Sequence, residues 1–121
     1  MDDGDDDETA VMLRCFDGVR LAVPASLARP RSSLVRDALA AAEDGAGVVV
    51  VDVPGNVRGR DVAKVVAYWE AREAVEEAAG DVAAFDAGFL VGLLHDARVD
   101  LIRAAHHLAD HALIHLFRFG P

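Results

Sequence analysis

At 121 residues the chain has the length of a single domain. Its hydrophobic fraction of 53% exceeds what a disordered chain sustains, so most of it should fold around its own core. A formal net charge of -9, from 21 acids against 12 bases, argues against nucleic-acid binding and favours a basic protein partner.

Part of that charge lies in Asp2, Asp3, Asp5, Asp6, Asp7 and Glu8. Residues 1–10 therefore read as an acidic, disordered tail, and residues 11–118 as the folded domain. The start lacks the basic-then-apolar order of a signal peptide, and no apolar run nears the length of a membrane helix. A soluble intracellular protein without membrane contact is expected. The single cysteine, Cys15, excludes an internal disulfide and reads as a small core side chain.

Residues Val11 to Phe16 and Val19 to Val23 flank Asp17-Gly18, a pair suited to the centre of a tight primed turn. Val11, Leu13 and Cys15 alternate with Met12, Arg14 and Phe16, which predicts a hairpin with one buried face. Pro24 and Pro30 leave room for one helical turn between them. Ser32 or Ser33 is placed to cap the next helix, whose stripe is Val35, Ala38, Leu39 and Ala42 and whose stop is Gly45, opening a loop to Gly47. The valine run from Val48 to Val53 predicts a strand buried on both sides, ended by Pro54.

After the Pro54-Gly55-Asn56 turn, a helix is expected from Gly59, with Asp61 near its positive end. Val62, Val65, Val66 and Trp69 share one face, while Lys64, Glu70, Arg72 and Glu73 should be solvated. The acidic, Ala-rich stretch from Glu73 to Asp81 is open between a longer helix and a loop. Phe85, Phe89, Leu90, Leu93 and Leu94 return to the core.

The central helix is expected around residues 99–109. Leu101, Ile102, Ala105, Leu108, Ala109 and Ala112 form its buried stripe, and Asp100, Arg103, His107 and Asp110 its polar face. Asp96 is placed to cap this helix, and Asp110 to cap a last one bearing Leu113, Ile114, Leu116 and Phe117. The fold class is thus α/β of the α+β kind: a small three-stranded sheet covered by about five to six helices.

Chemistry is harder to find. His107, His111 and His115 have the i, i+4, i+8 spacing that on one unbroken helix could hold zinc, as a regulator would. Ala109-Asp110 stands between them as a helix break, and a polar face is the preferred reading. Asp96, Asp100, Arg103, His107 and Asp110 resemble an acid–base cluster, yet one exposed helix face supplies no concavity. No phosphate loop or nucleophile elbow is present. A binding module is expected, with no catalysis, cofactor or metal.

Four segments together resemble the S-phase kinase-associated protein 1 family, especially its plant members. They are Phe16-Asp17-Gly18-Val19, the run from Val53-Pro54-Gly55-Asn56-Val57 to Trp69, Phe85-Asp86-Ala87-Gly88-Phe89-Leu90, and Leu101-Ile102-Arg103-Ala104-Ala105-His106-His107-Leu108. The family typically reads Ser-Asp-Gly, Leu-Pro-Asn-Val, Trp-Asp-x-x-Phe and Leu-Ala-Ala-Asn-Tyr-Leu at these places. The resemblance covers about residues 10–117 and implies a BTB/POZ fold in the nucleus and cytoplasm. It implies a non-catalytic adaptor in ubiquitin-dependent degradation, joining a cullin to an F-box substrate receptor.

By that resemblance Arg103, His106 and His107 would face the cullin, and Leu113, Leu116 and Phe117 the receptor. His106-His107 stands where the family has Asn-Tyr, and Phe85 where it has Trp. The family continues with further helices after this point, so the chain looks like a shortened member, close to elongin C in length. Left without those helices, Leu113, Leu116 and Phe117 would either be exposed as an apolar patch or meet a different partner. A degenerate paralogue that folds but assembles nothing, or only homo-oligomerises through that last helix, is the alternative.

Overall fold

The computed structural model describes residues 9–42 and 47–121. The acidic run from Asp2 to Glu8 and the expected helix stop at Gly45 lie outside the described residues. Among the described residues the order is β1 (Ala10–Arg14), β2 (Arg20–Pro24), α1 (Ala25–Ala28), α2 (Ser33–Ala41), β3 (Val48–Asp52), α3 (Gly59–Glu77), α4 (Val82–Val91), α5 (His95–Leu108) and α6 (His111–Phe119). This is the expected mixed α+β domain, three strands with six helices. Its first strand begins inside the expected tail, at Ala10, and its last helix runs one residue past the expected boundary.

The sheet order is β2-β1-β3, with β1 antiparallel to β2 and parallel to β3. A parallel neighbour needs a crossover, and α1 and α2 provide it. The hairpin closes on a different turn from the one Asp17-Gly18 implies. The Gly18 N–H donates to the Cys15 carbonyl at 3.0 Å, and the Cys15 N–H to the Val19 carbonyl at 2.9 Å. Phe16 and Asp17 are therefore the central residues, and Gly18, at φ +86°, follows them in the left-handed region. A primed turn would have forced that conformation on Asp17, where a Cβ opposes it.

This turn also anchors α3. The Asp17 carboxylate accepts the Gly59 N–H at 3.0 Å, one of the donors a helix start leaves without an internal partner. Arg58, the residue before α3, supplies no side-chain cap. Gly59 is needed here for space: a Cβ on it would lie 2.2 Å from Cβ of Val19.

Val11, Leu13, Val23 and Val51 point into the core, where Trp69, Leu101 and Leu108 are sealed from solvent. The outer face of the sheet is open. Val48 and Val50 are 56% and 51% exposed, so the valine strand is a half-exposed edge strand, contrary to the expectation of burial on both sides. A β-branched run signals strand, and burial is settled by whether helices reach the second face. Here they pack on one face only.

Two helices end alike. The Gly80 N–H reaches the Val75 carbonyl at 2.8 Å behind Ala79, and the Asp110 N–H reaches the Ala105 carbonyl at 2.9 Å behind Ala109. Ala79 and Ala109 have φ of +56° and +54°, the left-handed cap that glycine fills more cheaply. The first end shows that the acidic stretch prolongs the helix to Glu77. The second separates α5 from α6, which leaves Ala112 outside the buried stripe and exposed. Asp96 lies in the first turn of α5, whose cap position is Leu94, so it does not cap the helix as expected. Ser32 and Asp110 do cap, accepting the N–H of Val35 and of Leu113.

Candidate functional site

Two surfaces of the helical side hold the candidate residues. On α5, Arg103, His106 and His107 stand at i, i+3 and i+4 and so share one face. Arg103 and His106 are exposed, and His107 is half-buried. The burial comes from the turn after β3. Gly55 adopts φ +78°, and a Cβ there would lie 2.5 Å from Cε1 and 2.8 Å from Nε2 of His107. The backbone thus lies directly on the imidazole and fixes it, while Arg103 and His106 stay exposed.

The second surface is a groove of about 390 Å³ between α3, α4 and α6. Tyr68, Trp69 and Arg72 line it from α3, and Leu113 and Leu116 form its apolar floor. Its polar groups are already in use. The Tyr68 hydroxyl donates to Asp86 at 2.7 Å, and Arg72 reaches the other oxygen of Asp86 at 3.3 Å. Trp69 Nε1 donates to Asp110 at 2.7 Å, and the Leu113 N–H donates to its other oxygen at 3.1 Å. Arg31 and Arg72 both extend to Glu76.

Burial raises the Asp110 carboxyl above its ordinary range, against the lowering effect of its hydrogen bonds from Trp69 and Leu113. Burial, followed by the bond to Asp86, likewise raises the Tyr68 hydroxyl. Cys15 is buried too, and that burial raises its thiol, in keeping with a core side chain rather than a nucleophile.

Sequence reasoning missed this network. Arg72 was expected in solvent and Asp110 on a polar face, yet Asp110 is 2% exposed. One signal was available: Asp86 is the lone charge in the otherwise apolar helix Val82–Val91. A single carboxylate amid alanines and phenylalanines needs a specific partner.

The last helix departs from expectation as well. Leu113, Leu116 and Phe117 are buried, so they are core and do not form an exposed receptor-facing patch. Phe117 packs on Phe89, ring centroids 6.3 Å apart, and lies beneath the Arg98 guanidinium. The large apolar residue the last helix does expose is Phe119, at 70%, with the His115 ring packed against it at 4.7 Å. Because α5 stops at Leu108, His107 does not share a helix with His111 and His115, and the i, i+4, i+8 stripe does not form. Among the described residues no three His, Cys, Asp or Glu side chains converge as metal ligands. Nor is any described helix long and apolar enough to cross a membrane.

The molecule is thus a mixed α+β domain in which the Arg103–His107 face and the groove share no residue. No protein-family model matches the chain, and no curated protein matches it.

Proposed function

We propose that this domain is a non-catalytic adaptor of BTB/POZ type, joining a cullin to an F-box-like substrate receptor. The observation that carries the reading is the pairing of the two surfaces on one packed set of helices. Arg103 and His106 meet the cullin from the α5 face, beside the clamped His107. A receptor segment lies in the groove over Leu113 and Leu116, which are buried in the free chain yet floor that opening. The groove's charges are matched within the domain, so an apolar segment can settle there without stranding a charge. The excess of acids favours partners whose facing surfaces are basic.

Co-purification tests the reading, one arm with a cullin N-terminal domain and the other with an F-box segment. Arg103→Glu with His106→Glu should abolish the first complex and spare the second. Leu116→Asp would unfold the groove and is uninformative, so Ala112→Trp, which fills the rim from an exposed position, serves for the second arm. Binding to neither partner would remove the adaptor function. A regulator holding zinc through His107, His111 and His115 loses its support with the broken stripe.

A further inference from the structure

The sheet carries an interaction surface that the adaptor reading does not use. Residues that share its outer face are Ala10, Met12, Ala22, Pro24, Val48 and Val50, by the strand registers. All are apolar, and they form two adjacent rows across the three strands. A third row, Arg20, Arg14 and Asp52, is charged, and Arg14 holds Asp52 through two hydrogen bonds. The edges of this surface are the two end strands, β2 and β3; β2 carries Pro24, which has no N–H to offer a neighbour, and β3 carries no proline.

The register states which backbone groups that edge presents. The Ala10 N–H donates to Gly47, and the Val53 N–H donates to Arg14. In a parallel ladder with this offset, residues 47, 49, 51 and 53 turn their polar groups toward β1. Val48, Val50 and Asp52 therefore direct their N–H and C=O groups outward. The strand has no lysine, proline or bulge, and its one charge, Asp52, is held by Arg14.

We propose that β3 pairs antiparallel with β3 of a second copy, about a two-fold axis at Val50, giving one continuous six-stranded sheet. Charge and proline select this register. Centring the axis on Asp52 would set two carboxylates side by side. Centring it on Val51 would set Pro54, which has no N–H, opposite Val48 of the partner copy. With the axis at Val50, Val50 meets its own copy and Val48 meets Asp52. All five residues of the strand then pair, and every outward group finds a partner. Asp52 needs no new counter-ion, because Arg14 already holds it. The row Ala22, Met12, Val50 continues across the axis as an unbroken apolar stripe.

The proposal stands independently of any cullin or receptor. Sedimentation equilibrium of the full chain, up to the millimolar range, tests it. The expected result is a reversible monomer–dimer equilibrium that tightens as salt rises, because two chains of formal charge -9 repel each other until screened. Val50→Lys puts two ammonium groups together at the axis and should weaken the dimer by about tenfold or more. Val50→Pro removes the central outward N–H, which the free chain does not use in its own sheet, and should do the same. Val50→Thr keeps strand propensity and every backbone group, and should leave a measurable dimer. Circular dichroism confirms that each variant is folded. A chain that stays monomeric throughout overturns the proposal. So does a dimer that ignores Val50→Pro and Val50→Lys, or one abolished by Phe119→Ser instead, which would assign the contact to the last helix.

Discussion

Ser32, Asp86 and Asp110, on the helical side, are almost sealed from solvent, and each makes two hydrogen bonds. Across the molecule, the outer face of the sheet has no buried polar group at all and leaves Val48 and Val50 more than half exposed. The first region is closed: its polar groups fit one arrangement, so it holds the helices in place and specifies the fold. The second is open: among the described residues nothing covers Val48 and Val50 or pairs with the outward side of β3. Changes in the first should cost stability, and changes in the second should alter association alone.

The largest effect is expected from Asp110→Ala. It deletes the cap of α6 and leaves the buried Trp69 N–H without an acceptor, a loss of about 3 kcal/mol in urea unfolding. A pH series sharpens the point. Because the folded-state value of Asp110 is raised, the folded chain binds its proton more tightly than the unfolded chain. Its contribution is therefore most favourable below the unfolded value, about 3.9. That contribution declines as pH rises through the raised folded value. Relative to Asp110→Asn, which does not titrate, the native chain should lose stability as pH rises through that window. A difference that grew with pH would contradict the assignment.

Gly59→Ala probes the joint between the two regions. Its Cβ would strike Val19 in the hairpin, and about 2 kcal/mol should be lost as the turn and α3 part. Ala79→Gly should act in the opposite direction, stabilising by about 1 kcal/mol, since it removes a Cβ from the left-handed end of α3. The smallest effect belongs to Val50→Thr, which should stay within about 0.5 kcal/mol in the monomer. If Val50→Thr cost as much as Gly59→Ala, the outer face would be part of the closed region and the contrast would fail.

Much of the fold is legible in the residues. The alternation of Val11, Leu13 and Cys15, the Ser32 and Asp110 caps and the spacing of Val62, Val65 and Trp69 all appear where expected, while the hairpin turn centres on Phe16-Asp17 instead of Asp17-Gly18. The candidate site is less so. Arg103 is exposed as the helix-face pattern implies, but His107 of that face is half-buried and Asp110 is sealed, Leu113, Leu116 and Phe117 are core, and the Tyr68, Arg72 and Asp86 cluster went unseen. An amphipathic stripe states that a face is buried without naming what buries it.

Local order, then, belongs to the sequence: strands, helices and their ends follow from periodicity, β-branching and turn residues, all forces that act within a few positions. Tertiary structure alone decided that Asp110 would be sealed against Trp69, that Gly55 would lie on His107, and that one face of the valine strand would stay open. Those outcomes depend on contacts between segments 40 or more residues apart, where the same apolar pattern is satisfied by burial against a helix or by a second molecule.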